Sequence, residues 1–242
     1  MKETSSNGKT GDIEAGPQIL YPDMKENCQL RWAFIRKVYA ILTVQVLITL
    51  GVAYTVISVH HISNFFAHSK ASIWVFFAIF FFSLIVLFPL RAYHQKHPWN
   101  FLLLALFTVS ISFLVGVACS FSGGKAILEA VILTTVIVVS LTLYTFWAAR
   151  RGHDFGFLGP FLFAGLMMLI VFSLIQVFVP LGKISTMIFG ALAALLFCGY
   201  IVYDTDNLIK RYSYDEHIVA AISLYLDILN LFMALLQILN AD

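Results

Sequence analysis

The chain has 242 residues, of which 60% are hydrophobic and only 12% are charged, and its formal net charge is +2. A soluble domain has nearer half apolar and a quarter charged residues, so the composition excludes an ordinary soluble protein. It indicates a polytopic membrane protein.

The first 30 residues differ in composition from the rest of the chain. They hold Pro, Gly, Ser, Asn and charges of both signs, and they lack the apolar core of a cleaved signal peptide. We interpret residues 1–30 as a disordered cytosolic tail and residues 31–242 as the membrane domain. The first span then serves as the targeting signal.

Seven hydrophobic runs follow the tail. A bilayer core of about 30 Å needs about 20 helical residues, and each run is close to that length. Because the connections are short, neighbouring spans should pack antiparallel, which predicts an all-α, seven-helix membrane bundle. The runs are 38–59, 73–90, 101–121, 126–149, 157–179, 184–208 and 218–239.

The distribution of basic residues predicts the orientation. Most Lys and Arg residues lie in the tail or in the connections after the second, fourth and sixth runs, whereas only Lys70, Lys125 and Lys183 lie in the other connections. The positive-inside rule therefore places the N-terminus in the cytosol. Seven crossings would put the C-terminus on the opposite side; a re-entrant last run would return it to the cytosol, and the sequence leaves this open.

Two acidic residues lie deep in the last two runs. Asp204 lies about 9 Å from the cytosolic end of the sixth run, and Asp227 lies about 15 Å into the seventh. The two runs are joined by a short turn, so carboxyl groups at similar depth can meet. By helical spacing, polar residues continue each face: Tyr200 and Asn207 beside Asp204, Ser223 and Asn230 beside Asp227.

Two carboxyl groups a few Å apart in a low dielectric cannot both be ionised cheaply, so they would share one proton. Such a pair can act as a proton switch, bind a hard cation such as Ca²⁺ through oxygen, or catalyse aspartyl hydrolysis. A hydrogen-bonded latch that only holds two helices together is the structural alternative. Arg91, at the cytosolic end of the second run, is the candidate basic partner.

The remaining polar residues favour simpler interpretations. Glu129 is expected to be an interfacial carboxylate beside Lys125, with a cation entrance on the lumenal side as the alternative. Asp206 is interpreted as interfacial. The seven histidines fall in connections and are expected to be solvated, and the three cysteines form no CxxC and are expected to be packing residues. Polar residues of the middle runs, among them Thr108 and Ser112, are expected to pack helices.

Four motifs in order carry a family resemblance: LRWAFIRKVYAILTVQVLITLGVAY, HPWNFLLLALFT, YDTDNLIK and ISLYLDILNLF. With them, the chain resembles the transmembrane Bax-inhibitor-motif family, in particular its Lifeguard branch. The segment HHISNFF is most similar to the plant members. The resemblance covers the chain from about residue 30 to its end.

The resemblance implies a seven-helix fold whose last helix is surrounded by the other six. It also implies Ca²⁺ leak from intracellular stores and suppression of stress-induced cell death. Asp204 and Asp227 would form a pH-sensitive gate and transient Ca²⁺ ligands, and Arg91 would latch it. Tyr200, Asn207 and Asn230 would be supporting polar residues. The chain ends in Ala241 and Asp242, so regulation by a basic C-terminal tail does not carry over.

Further expectations follow from the same resemblance. The protein would not be an enzyme and would need no cofactor, with Ca²⁺ as the permeant ion. Its partners would be membrane lipids, calcium ions and cell-death regulatory proteins, without nucleic acid. It would lie in the endoplasmic reticulum, with the Golgi or vacuolar membrane as alternatives.

Two other function classes stay open. A scaffold could bind death-regulating partners through its tail and loops without conducting ions. An intramembrane aspartyl protease would also need an Asp on each of two helices. However, Asp227 follows LYL rather than a GxGD turn, and the chain has no PAL motif.

Overall fold

The computed structural model describes residues 20–22, 24, 27–69, 71–92, 98–179 and 182–240. These residues form eight α-helices and one 3-10 turn (Tyr214–Glu216), without a β-strand among them. Seven of the helices are long and apolar enough to cross a membrane, which confirms the predicted fold class. The helices are α1 (Cys28–Ser58), α2 (His60–His68), α3 (Ala71–Ala92), α4 (Trp99–Ser120), α5 (Gly124–Arg150), α6 (Leu158–Phe178), α7 (Gly182–Lys210) and α8 (His217–Leu239).

The short helix α2 was not predicted, and it corrects the placement of three histidines in a loop. Its nine residues are too few to cross a bilayer. Ile62, Phe65 and Phe66 follow one another at helical spacing. Phe66 lies 5.9 Å from the ring of Phe113 on α4, measured between centroids, so α2 folds back against the bundle.

The last helix, α8, packs against α1, α4, α5 and α7. It has the largest buried share of the membrane helices, 56% of its central window, whereas α6 has 6% and packs against α7. The helices α3 and α6 face α8 across cavities. That all six helices surround α8 stays a prediction.

Helix α8 is continuous over 23 residues. At about 1.5 Å per residue this gives about 35 Å, enough for the ~30 Å bilayer core. Its length therefore fits a crossing span rather than a re-entrant segment.

A buried polar cluster joins α1, α4 and α8 in the middle of the bundle. Gln45 donates to the hydroxyl of Thr108 (3.1 Å), and Ser112 donates to Thr49 (2.9 Å). The Thr49 hydroxyl lies 2.8 Å from that of Tyr225 on α8. Thr108 and Ser112 thus contribute to helix packing, as expected. The cluster supplies hydrogen bonds to polar side chains that lipid could not provide.

Residues before the first predicted run also pack on the bundle. Helix α1 begins at Cys28, before the predicted start of that run at residue 38, and Leu20 is only 2% exposed. Residues 1–19, most of the predicted tail, lie outside the described residues. So do Lys70 and 93–97, which bear on the orientation argument.

Arg31, the first residue of the predicted membrane domain, is 2% exposed. Its Nη1 donates to the carbonyl of Tyr212 at 2.6 Å. Its guanidinium also lies over the rings of Phe34 and Tyr214, at 5.6 and 5.0 Å from their centroids. Arg31 therefore ties the start of α1 to the turn between α7 and α8.

Candidate functional site

The structure brings together the two carboxyl groups that the sequence placed at similar depth. Asp204 on α7 and Asp227 on α8 are 9% and 6% exposed. Their carboxyl groups lie close enough to interact with each other directly. This is possible because the two helices are antiparallel neighbours, joined by a short turn. We call Asp204 and Asp227 the acid pair.

The predicted supporting residues divide between two places. Asn207 contacts Asp204 through its side chain, and Tyr200 lies close enough to interact electrostatically with both Asp204 and Asp227. Asn230 instead donates to the carbonyl of Leu226 in its own helix (2.8 Å) and lines a cavity of about 770 Å³.

Tyr212, in the turn between α7 and α8, was not predicted from the sequence to be part of the site. Its phenol faces the Ser223 hydroxyl. Burial, with the nearby Asp204 carboxyl group, raises the pKa of Tyr212 to about 12, so the phenol stays neutral. Because Arg31 holds its carbonyl, this residue is fixed above the acid pair. No local motif marks it, since its partners come from the two ends of the chain.

Arg91 lies in the last turn of α3. It lines a cavity of about 360 Å³ together with residues of α8, among them Ser223 and Leu226. Ser223 lies one helical turn before Asp227, so Arg91 shares a cavity with the part of α8 next to Asp227. Its role as a latch stays a prediction.

A second charged cluster lies at the end of α7, and it shows that Asp206, interpreted from the sequence as interfacial, is a buried, ion-paired residue. The side chain of Asp206 is fully buried. Its carboxylate lies 2.5 Å from Lys210 Nζ and accepts from the Phe155 N–H at 3.2 Å. Phe155 lies 51 residues away in the connection between α5 and α6, which the sequence could not place here.

The α5–α6 connection contributes an acidic residue to the same cluster. Asp154 Oδ1 lies 2.6 Å from Arg211 Nη2, and it accepts from the Gly156 N–H at 3.1 Å. Partial burial opposes ionisation of Asp154, but the Gly156 N–H, Arg211 and Lys210 outweigh it and lower its pKa. Lys210 also donates to the carbonyl of His153. We call the contacts of Asp154, Asp206, Lys210 and Arg211 with one another and with the α5–α6 connection the loop clamp.

Two glycines permit the clamp. Gly152 has φ of +82°, a conformation that side chains rarely adopt. A Cβ at Gly156 would lie 2.1 Å from Arg211 Nη2, so a side chain there would displace the guanidinium from its position in the clamp.

Asn207 connects the loop clamp to the acid pair. Its Oδ1 accepts from Arg211 Nη1 at 2.6 Å, while the same side chain contacts Asp204. The α5–α6 connection is thus linked to Asp204 through Arg211 and Asn207.

The other candidate residues have ordinary surroundings. Glu129 is 45% exposed and pairs with Lys125 at 3.7 Å, one helical turn away, as the interfacial interpretation expects. His217, expected to be solvated, is only 5% exposed at the start of α8, because the 3-10 turn folds it into the bundle. Cys28, Cys119 and Cys198 are free thiols.

A seven-helix membrane bundle with two buried carboxyl groups between its last two spans defines a class of integral membrane protein with an acidic intramembrane site. The comparison with known families agrees with that class. The family described as "Inhibitor of apoptosis-promoting Bax1" matches residues 31–242, so the chain belongs to this family.

Similar proteins extend from plants to a virus. The chain is 60% identical to Protein LIFEGUARD 2 of Arabidopsis thaliana, over 95% of this chain and 96% of that protein. It is 41% identical to Bax inhibitor 1 of Schizosaccharomyces pombe, over 87% and 77% of the two chains. It is 39% identical to the Golgi anti-apoptotic protein of vaccinia virus, over 88% and 87%. The predicted resemblance to plant Lifeguard proteins is confirmed.

Proposed function

We propose that this protein is a pH-sensitive calcium leak channel of an intracellular membrane that suppresses stress-induced cell death. Asp204 and Asp227 form its gate, and Arg91 is the latch. The observation that carries the proposal is the contact between two buried carboxyl groups on adjacent membrane spans. The printed names of the yeast and viral relatives, a Bax inhibitor and an anti-apoptotic protein, support the role in cell death.

The chemistry of the acid pair suits a gate. Losing the shared proton adds a negative charge between two helices at membrane depth, which is costly unless a cation or water enters. Ca²⁺ prefers six to eight oxygen ligands. The described residues contain no group of three or more His, Cys, Asp or Glu placed to hold a metal, so the pair is suited to transient contact with a permeant ion.

Whether protonation of the acid pair increases or decreases calcium flux depends on which of two opposing effects is larger. Protonation would break an ionic contact between the pair and Arg91, which favours opening. Protonation would also remove negative charge from the path of the cation, which disfavours Ca²⁺ entry.

Calcium flux in reconstituted liposomes between pH 6 and 8 tests the gate. The variants are Asp204→Asn, Asp227→Asn and the double substitution. Asp215→Asn is the matched control, because Asp215 lies exposed in the turn between the same two helices. We expect a pH-dependent flux in the wild type that either gate substitution flattens and the control leaves intact.

Two outcomes would contradict the gate. One is the absence of flux from folded wild-type protein. The other is a pH dependence that survives both gate substitutions. Either result would favour the scaffold. Deletion of residues 1–19 then tests that role through protection of cells from stress; the deletion stops there because Leu20 is buried.

The proposal includes the cellular setting expected from the sequence. The N-terminus faces the cytosol, and the membrane is that of the endoplasmic reticulum, with the Golgi or vacuole as alternatives; the name of the viral relative refers to the Golgi. We also propose that the protein is not an enzyme and needs no cofactor. Incubation of the reconstituted protein with transmembrane peptides should yield no cleavage that depends on Asp204 and Asp227.

A further inference from the structure

A cavity of about 770 Å³ opens between α6, α7 and α8. Most of its wall is apolar and is formed by side chains such as Leu166 and Ile170 of α6, Phe189 and Phe197 of α7, and Met233 of α8. Neither the acid pair nor the loop clamp lines it.

The cavity exists because α6 approaches the bundle closely at one end only. A Cβ at Gly165 would lie 2.6 Å from Leu196, and one at Gly199 would lie 2.7 Å from Leu162, so α6 and α7 nearly touch there. Toward the end of α6, the larger Phe172 and Phe189 stack at 5.8 Å. A gap therefore remains between α6 and α8.

The polar groups of the cavity are concentrated at one end of the bundle. Asn240 donates to the Ser122 hydroxyl at 2.6 Å, and Gln237 lines the same end. Lys183, in the first turn of α7, is the one charged residue among the described residues that line the cavity. The N-terminal end of a helix carries partial positive charge, which adds to that of Lys183.

We propose that the cavity binds an anionic phospholipid of the surrounding bilayer, with one acyl chain between α6 and α8 and the headgroup at Lys183. Apolar walls at membrane depth favour an acyl chain over water. A lysine at the mouth, with no carboxylate among the described residues that line the cavity, favours an anion and opposes a cation entrance. Lipid binding here is independent of calcium flux.

Native mass spectrometry of the full-length protein in detergent tests this site. Phosphatidylglycerol and phosphatidylcholine with identical acyl chains are titrated separately, and the retained lipids are counted. We expect phosphatidylglycerol to bind the wild type several-fold more tightly. Lys183→Gln should weaken phosphatidylglycerol about fivefold, the usual effect of one basic residue near headgroups, and leave phosphatidylcholine unchanged. Ala193→Phe, which fills the cavity, should weaken both lipids.

Matched controls separate this site from general surface effects. Lys125→Gln removes an exposed lysine that does not line the cavity, and Leu192→Phe enlarges an exposed side chain next to Ala193. Both should bind lipid like the wild type. Equal affinity for the two lipids, no retained lipid, or an effect of Lys125→Gln as large as that of Lys183→Gln would overturn the proposal. If Ala193→Phe does not fold, Lys183→Gln decides alone.

Discussion

Arg31 shows how one residue can join distant parts of a membrane protein. It enters the bundle at the start of α1, yet its guanidinium donates to a carbonyl 181 residues later. A buried guanidinium needs hydrogen bonds and aromatic faces to replace water, and Tyr212, Phe34 and Tyr214 provide them. Arg31 thereby holds the turn that carries Tyr212 above the acid pair.

Replacing Arg31 with Met should destabilise the protein. The substitution removes a charged hydrogen bond, worth about 1.5–3 kcal/mol, and contacts with two rings, worth about 0.5–2 kcal/mol each. Even a loss of about 2 kcal/mol should lower the midpoint of thermal unfolding in detergent by roughly 5 °C. Arg36→Met, on the exposed side of α1, is the control and should change the midpoint little. An equal effect of the two substitutions would contradict the anchoring role of Arg31.

Individual residues were predicted well where helical periodicity and depth determine their position. Asp204 and Asp227 could be paired because a short turn joins two spans and the rise per residue fixes their depth. Asp206 could not be placed, because its N–H donor, Phe155, lies on a connection 51 residues away. Tyr212 was missed because its environment is built from both ends of the chain.

Among the elements, the α5–α6 connection is held more firmly than its loop composition indicates. Asp154, Arg211, Lys210 and Asp206 form one ionic cluster, and Asn207 links it to Asp204. A shift of this connection therefore moves a side chain that touches the acid pair. The clamp is coupled to the proposed gate by direct contacts.

The clamp should respond to acid with a defined sign. The pKa of Asp154 is lowered in the folded protein, so its contribution is fully present above the unfolded value of about 3.9. The contribution is lost as the pH falls below that value and through the folded pKa. Between pH 6 and 8 the clamp should stay closed, and Asp154→Asn should open it throughout that range.

Hydrogen exchange of residues 151–157 measures the state of the clamp. The wild type should show constant protection between pH 6 and 8, after correction for the intrinsic exchange rate. Asp154→Asn should exchange faster, and Asp215→Asn should match the wild type. Loss of wild-type protection within this pH range would show that another group controls the connection.

At the element level, the seven apolar runs corresponded to seven helices because continuous hydrophobicity over about 20 residues has few other solutions in a membrane protein. Helix α2 was overlooked because nine residues give only a weak periodic signal. The α6–α8 cavity was not predictable, since it depends on where glycines let α6 approach α7 and where larger side chains hold it away.

For the whole molecule, the arrangement of charged residues separates two ends of the bundle. Arg150, Lys210 and Arg211 lie at one end, with the loop clamp, and Lys125 and Lys183 lie at the other. The positive-inside rule assigns the first end to the cytosol. The loop clamp, which Asn207 links to Asp204, would then lie at the cytosolic end of the bundle. The mouth of the lipid cavity would lie at the opposite end.

Single cysteines in a cysteine-free background test this orientation. Arg151→Cys should react with a membrane-impermeant maleimide only after the plasma membrane of the cell is opened, with organelles left intact. Lys125→Cys should react only after the organelle membrane is opened as well. The reverse pattern would invert the assignment, and equal labelling of both would indicate mixed topology.

The position of α8 in the chain has a consequence for synthesis. It follows the other seven described helices in the chain, so the ribosome delivers it after them, yet it packs against α1, α4, α5 and α7. Until it arrives, the hydroxyls of Thr49 and Ser112 lack Tyr225, and Asp204 lacks Asp227. The first six spans are therefore an incomplete assembly in the membrane until α8 is synthesised. We expect a chain cut before residue 217 to leave the polar faces of α1, α4 and α7 without their partners on α8.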